Sequence, residues 1–350
     1  MNLLLNLSAV IFLILSSITV FAADEINPIC RSVSQSTCKV GQSLGKGINL
    51  GNMLDSPKEG QWGVSYQPEF VEAISKDFQH VRLPVRWSSH ASLNADAKID
   101  EKFMLRVESI VDAMLAKNLT VILNVHHYRQ LSGEKLDYGE IGVDPAVVTE
   151  RFLNIWTQIS QRFAGKSDKL IFEVLNEPGD ALKGDKWNEL AATALKVIRK
   201  SNPERVVMIG PAGNAIPRLK EFKVPDDKNI IVTVHNYDPA PFTLQGFSYM
   251  KQFPKGATCC DANQKAKIVS GLDTAKSWSI KNGYPIHIGE FGASARGALE
   301  SRVEYASFFR KEAELRGFSW AYWDFASEDF GVYGPYKNLW IPVFHDALIK

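Results

Sequence analysis

Net charge is nearly absent from this chain, in which 40 lysines and arginines oppose 39 aspartates and glutamates over 350 residues, a balance of +1. No basic stripe or charged tail stands out, which excludes a nucleic-acid partner. Internal repeats and low-complexity linkers are missing too. At roughly 150 residues per domain the length suggests two units, but α/β barrels use this much chain as one, and without a linker a single domain is expected.

Long apolar runs are missing after the first two dozen residues, so no later segment is expected to cross a bilayer. The one run present, MNLLLNLSAVIFLILSSITVFAAD, ends in small residues at Val20, Ala22 and Ala23. It reads as a secretory signal peptide over residues 1–22, followed by an N-terminal segment over 23–43 and a folded unit over 44–350. Its start has no Lys or Arg, which leaves an uncleaved membrane anchor as the alternative. The expected location is secreted, extracellular or periplasmic, with no membrane contact after cleavage.

Cysteine is scarce. Cys30, Cys38, Cys259 and Cys260 all follow the leader, and an even count in an exported chain favours disulfides over metal ligation or catalysis. Cys259 and Cys260 are neighbours, and a bridge between them would be strained. Each is therefore expected to tie to one of the N-terminal pair, stapling residues 30–38 onto a late loop, with free thiols as the alternative.

Eight short runs have strand character: KGINLGN, HVRLPVRW, LTVILNVHHY, KLIFEVLNEP, RVVMIG, NIIVTVHNY, YPIHIGEFG and FSWAYWDF. Most are rich in Val and Ile, as buried parallel strands are. Helical patterns alternate with them. The clearest begins with Asp144 and Pro145 as cap and first residue, continues through Val148, Phe152, Ile155, Trp156, Ile159 and Phe163, and stops at Gly165; others cover Phe103 to Met114 and Arg302 to Gly317. Eight strands alternating with helices predict an α/β fold, a (β/α)8 TIM barrel. An open doubly wound sheet is the rival, but the first strand's GKGINLGNMLDS lacks the G-x-G-x-x-G spacing of a dinucleotide turn.

Polar residues gather where these runs stop: Asn52 and Asp55, Arg82 and Arg86, His126 and His127, Asn176 and Glu177, His235 and Tyr237, Glu290, and Trp323. In a barrel the C-terminal strand ends form one mouth, so these residues are expected to share a cleft. Alternation along the fourth run would put Glu173, Leu175 and Glu177 on one side, with Glu173 about 13 Å deeper at ~3.3 Å per residue and in need of a partner. Pro178 is expected to keep Glu177 extended at the rim. In the seventh run Ile286 and Ile288 should point inward below Glu290. Two carboxylates about 5 Å apart suit retaining glycoside hydrolysis, whereas roughly 6.5–9.5 Å would mean inversion.

Trp62, Trp87, Trp187, Trp320, Trp323 and Trp340 are candidates for stacking on sugar rings, Trp323 foremost because it ends a strand, although most tryptophans serve the core. A metal centre on His126, His127 and His235 is not expected, since adjacent residues on a strand point to opposite sides.

GINLGN, HVRLPVRWSSH, NVHHY, FEVLNEP, VHNYDP with FTLQG, IGEFGA and GFSWAYWDF occur in that order between about Leu44 and Leu348. Together they resemble glycoside hydrolase family 5, the cellulase family, in its bacterial endo-β-glucanase branch, which has some mannanase members. The resemblance implies Glu177 as general acid/base and Glu290 as nucleophile. It implies supporting roles for Arg82, His126, Asn176, His235, Tyr237 and Trp323. Asn52, Asp55, His127 and Tyr249 fall where the branch lines its outer subsites, with Asp55 and Tyr249 standing where a longer acid and a tryptophan are common. The implied activity is a retaining endo-β-1,4-glucanase on cellulose-type and mixed-linkage β-glucans, working as a monomer without cofactor or metal. An endo-β-1,4-mannanase or dual enzyme is the alternative, and a non-catalytic carbohydrate-binding barrel a more remote one.

Overall fold

The computed structural model describes residues 27–334 and 338–350, so the expected leader over 1–22 lies outside the described residues. Eight parallel strands each pair with the next: β1 (Lys46–Asn49), β2 (His80–Leu83), β3 (Thr120–Asn124), β4 (Leu170–Glu173), β5 (Val207–Ile209), β6 (Ile230–His235), β7 (Ile286–Phe291) and β8 (Ser319–Tyr322). β8 closes on β1, forming the expected barrel. A two-residue pair, β9 (Tyr333–Gly334) with β10 (Leu339–Trp340), is too short to have left a periodic signal.

The helices are α1 (Gln35–Ser43), α2 (Pro68–Ile74), α3 (Glu101–Ala116), α4 (Arg129–Ser132), α5 (Val148–Arg162), α6 (Asp185–Arg199), α7 (Ala240–Thr243), α8 (Ala262–Asn282), α9 (Leu299–Leu315) and α10 (Pro342–Ile349). α3 forms because Asp100 caps the Phe103 N–H and Phe103, Val107, Ile110, Val111 and Met114 make one buried stripe. The α5 start differs from expectation. Asp144 accepts from Ala146 N, two residues on, which tightens Pro145–Val147 into a 3₁₀ turn ahead of the helix. α9 begins at Leu299, three residues before Arg302, where the expected pattern opened.

The barrel interior is layered. At its N-terminal end Leu44, Ile122, Ile171, Val206, Met208 and Ile231 pack together with Val40 of α1, so the 27–43 segment forms a floor. Above this floor lie the buried polar side chains of His80, Thr233, His287 and Ser319, and above those Asn49, Arg82 and Glu173. The β7 faces correct the sequence reading. His287 turns inward, its ring 5.1 Å from that of His80 and its Nδ1 2.9 Å from Ser319 Oγ, while Ile286 and Ile288 join the outer core. Gly289 is an extra residue between the pairs Val234–Ile288 and His235–Glu290, and this bulge switches Glu290 to the inside.

The disulfides also differ from expectation. Cys30 joins Cys38, and Cys259 joins Cys260. The reason is position. Ser32 N donates to Gly283 O just past the C-terminus of α8, whereas Cys259 and Cys260 precede its N-terminus. The 21 residues of α8, about 31 Å at ~1.5 Å per residue, hold the two pairs at opposite ends of the barrel.

Candidate active site

Arg82 is the hub of the mouth. Wholly buried on β2, its Nε and Nη2 donate to Glu173 Oε2 and Oε1 at 2.6 and 2.8 Å. Nη1 reaches Glu290 Oε1 at 2.7 Å and Asn49 Oδ1 at 2.9 Å, and Nη2 also reaches Asn176 Oδ1 at 2.7 Å. Burial disfavours the charge, but Glu173 and Glu290 more than offset it and raise the guanidinium pKa. Glu173 is therefore the partnered core carboxylate its depth required. With its oxygen held by Arg82, the Asn176 amide keeps its NH2 end for a ligand.

Glu177 is not extended. β4 stops at Glu173, and Glu177 has φ +39°, a left-handed turn that Pro178 does not prevent. The turn has a purpose that alternation could not serve, since it brings the consecutive side chains of Asn176 and Glu177 into one cleft. The Glu177 N–H donates to Asn214 Oδ1 at 3.1 Å, and its Oε1 lies 2.8 Å from His235 Nδ1. Glu290 faces it, accepting from Tyr237 Oη at 2.8 Å as well as from Arg82. One carboxylate oxygen of each lies within 4.8 Å of the other. Glu177 is walled in by the cleft yet 44% exposed, because the cleft is open above it, whereas the Glu290 side chain is 6% exposed.

Burial pushes both carboxyls up. With an imidazolium at His235, its hydrogen bond and charge would outweigh burial at Glu177 and take the group below the usual range, while at Glu290 burial would prevail over His235 and Arg82 and leave the group above it. Those directions would leave a shared proton on Glu290. They depend on a charged His235. Asn214 Nδ2 lies 3.3 Å from His235 Nε2, and an amide NH2 can only donate, so this nitrogen holds a lone pair and the ring is neutral. Without the imidazolium, Glu290 keeps the Arg82 charge and the Tyr237 hydroxyl while Glu177 keeps one neutral donor. The proton of the pair then belongs on Glu177.

The surrounding cleft holds about 780 Å³ and is lined by Asn52, Asp55, Trp62, His126, His127, Tyr237, Tyr249, Trp323 and Phe330 among others. Trp323 stacks on His126, centroids 5.4 Å apart and nearly parallel. Asn52 Nδ2 donates to Asp324 Oδ2 at 2.6 Å. Asp55 Oδ1 accepts from Met53 N, its buried Oδ2 has no hydrogen-bond partner among the described residues, and burial raises the carboxyl to about 7. Trp62 stands edge-on to His127 and donates to Tyr138 Oη at 3.0 Å, and Tyr249 is 70% exposed at the opposite lip. Trp87, Trp187 and Trp320 are fully buried, and Trp340 packs on Phe78.

The two histidines after β3 correct another expectation, for their rings lie only 4.7 Å apart because both residues are beyond the strand end at Asn124. Asp55, His126 and His127 thus converge closely enough for a metal ion, as do Glu177, His235 and Glu290. The donor sets do not suit one. Asn124 Oδ1 is taken by Val85 N, so its Nδ2 donates to His126 Nδ1 and the proton of His126 sits on Nε2; His235 has both nitrogens engaged. Asn214 is a site residue that the sequence reading missed, as are Asn49 beside Arg82 and Phe330 in the cleft wall. For Asn214, only its place directly after the Pro211-Ala212-Gly213 stretch beyond the end of β5 could have drawn notice.

The chain matches the sequence profile described as Cellulase (glycosyl hydrolase family 5) over residues 43–329. Endoglucanase H of Acetivibrio thermocellus is 35% identical over 300 residues, which are 85% of this chain and 31% of that protein, so the chain spans about a third of that relative. Among solved structures, Thermotoga maritima Cel5A in complex with cellobiose superposes with a TM-score of 0.82 at 38% identity, covering 92% of this chain and 100% of that one. The same protein with mannotriose gives 0.83 at 39% identity, covering 89% and 99%.

Proposed function

The chain belongs to the glycosyl hydrolase family 5 cellulases, and from that premise we propose that it is a retaining endo-β-1,4-glucanase acting on internal bonds of cellulose-type and mixed-linkage β-glucans. The observation that carries this reading is the carboxylate pair, with oxygens within 4.8 Å and therefore on the retaining side of the ~5 against ~6.5–9.5 Å divide. Glu177 gives its proton to the glycosidic oxygen as Glu290 attacks the anomeric carbon. The departing chain leaves as an alcohol, and a glycosyl ester forms on Glu290. Glu177, now ionised, then takes a proton from water, whose oxygen displaces Glu290 and restores both groups. Asn176 supplies a donor for the sugar 2-hydroxyl, and Trp323 the apolar floor beneath the ring. His126, His127, Asn52, Asp55 and Tyr249 bind flanking sugars.

A β-mannan backbone is the second reading, favoured by the mannotriose complex of the similar Thermotoga protein. The proposed enzyme works as an exported monomer without metal or cofactor. Reducing-end release from carboxymethylcellulose, mixed-linkage β-glucan and galactomannan, with Glu290→Ala as blank, tests the assignment. Loss of at least ~10³-fold in the variant and β-configured initial product by NMR are expected. Turnover by Glu290→Ala, or an α-configured product, would remove Glu290 as nucleophile or the retaining course.

A further inference from the structure

Asn214 lies in the loop after β5, completely buried, with a left-handed backbone of φ +47° that Asn tolerates better than most residues. Its amide works at both ends. Oδ1 accepts the Glu177 main-chain N–H at 3.1 Å, and the neighbouring Gly213 N–H donates to Pro178 O at 2.8 Å, so two hydrogen bonds bracket the Glu177–Pro178 turn. Because a backbone N–H can only donate, the atom facing it must be the amide oxygen, and the NH2 is thereby turned to His235 Nε2. The His235 tautomer follows from these partners: a lone pair on Nε2, a proton on Nδ1, and that proton aimed at Glu177 Oε1. Two glycines keep the space open. A Cβ at Gly210 would come within 3.1 Å of the Asn214 amide, and one at Gly289 within 2.9 Å of His235 Nε2.

We infer that Asn214 is a positioning residue for the acid–base step, a single amide that holds the Glu177 backbone in its turn and fixes His235 as the neutral tautomer donating to the Glu177 carboxyl. This rests on the acid/base role proposed for Glu177. The other charged or titratable groups around His235 are Glu290, whose Oε2 is 3.6 Å from Nδ1, Arg82 of β2, His126 beyond β3, His287 of β7 and Tyr237. Glu177 and Glu290 both face Nδ1, and among the described residues Asn214 is the polar partner at Nε2, so its donor there places the proton on Nδ1.

Asn214→Asp separates the two duties. An aspartate keeps an oxygen for the Glu177 N–H but offers His235 Nε2 an acceptor in place of a donor, which favours the imidazolium. An imidazolium on Glu177 stabilises its anion, so the acid loses its proton at lower pH. In Asn214→Asp the basic limb of kcat/KM on a cello-oligosaccharide should move down by about one pH unit or more. Hydrolysis of an aryl β-cellobioside with an acidic phenol, which needs little proton assistance, should stay within about threefold in its glycosylation step, while the oligosaccharide rate falls about tenfold or more. Equal losses on both substrates with an unmoved limb would make Asn214 merely structural and overturn the inference. Nitrogen-15 histidine spectra of the unaltered protein give a reading that needs no variant: His235 should show Nδ1 protonated and Nε2 bare near pH 6, and a protonated Nε2 would overturn it equally. If the unaltered protein shows this tautomer but cleaves no β-glycan, the functional reading fails while the hydrogen-bond assignment stands; if it cleaves and the tautomer is wrong, the reverse holds.

Discussion

At the scale of single residues, the cleft sorts its carboxylates by what donates to them. Glu290 has a guanidinium on one oxygen and a phenol on the other, and burial drives the Tyr237 pKa well above 10, so that phenol keeps its proton for donation. Tyr237→Phe removes one donor. The anion loses a hydrogen bond worth about 1.5–3 kcal/mol, so the proposed nucleophile should need a higher pH to ionise: the acid limb of kcat/KM should move up, with a loss of roughly 10- to 100-fold at its plateau. An acid limb that stays in place would mean that Arg82 alone sets the charge on Glu290. Both carboxylates were legible in the sequence, because NEP and GEFG put each at the end of an apolar strand run. Asn214 was not. Its role lies in two hydrogen bonds to residues 37 and 21 positions away, and an asparagine in a turn is common for backbone reasons alone.

At the scale of elements, periodicity located all eight strands but misjudged where alternation stops. β3 and β4 end at Asn124 and Glu173, two and four residues before the side chains that matter, and past a strand end the backbone sets direction afresh. Hence His126 and His127 face one another and Glu177 turns left-handed, neither of which a period of two can express. The β7 bulge is a second such break. Gly289 lets β7 switch Glu290 inward, and its missing Cβ would come 2.7 Å from Thr233 Oγ1 and 2.9 Å from His235 Nε2. Gly289→Ala should therefore displace the His235 ring while leaving the barrel closed. Expected is a fall in kcat of at least ~10-fold, with a far-UV circular dichroism spectrum unchanged and an oligosaccharide Kd within about threefold. Unchanged kcat would show that the bulge relaxes around the added methyl group without moving His235.

At the scale of the whole molecule, buried ionisable groups bias the fold in opposite directions as pH changes. His80 sits in the barrel interior, wholly buried, with Nδ1 2.8 Å from Leu44 O, and burial lowers its pKa from 6.5 to about 4. A depressed histidine pKa means that the unfolded chain takes up the proton first. Stability is full above pH 6.5 and is lost as pH falls toward 4, by about 3 kcal/mol at ~1.4 kcal/mol per pH unit, and His287 acts in the same direction. Asp55 and Asp324 oppose them. Burial raises these carboxyls to about 7 and about 6, so the folded chain holds protons that the unfolded chain has released, and their stabilising effect, full below pH ~4, is lost as pH rises toward 7. Between pH 4 and 7 the two sets compensate. Removing one should tilt the balance, and His80→Asn is the clean choice, because the asparagine NH2 can still donate to Leu44 O without any titration. Melting temperatures at pH 4.5 and 7.5 for both proteins give the comparison. The drop between the two pH values should be roughly 5 °C smaller in His80→Asn than in the unaltered protein, whatever the variant loses in packing at both. An identical drop would mean that His80 takes up a proton inside the barrel as readily as in water, and the polar layer beneath Arg82 would have to be far better solvated than its complete burial implies.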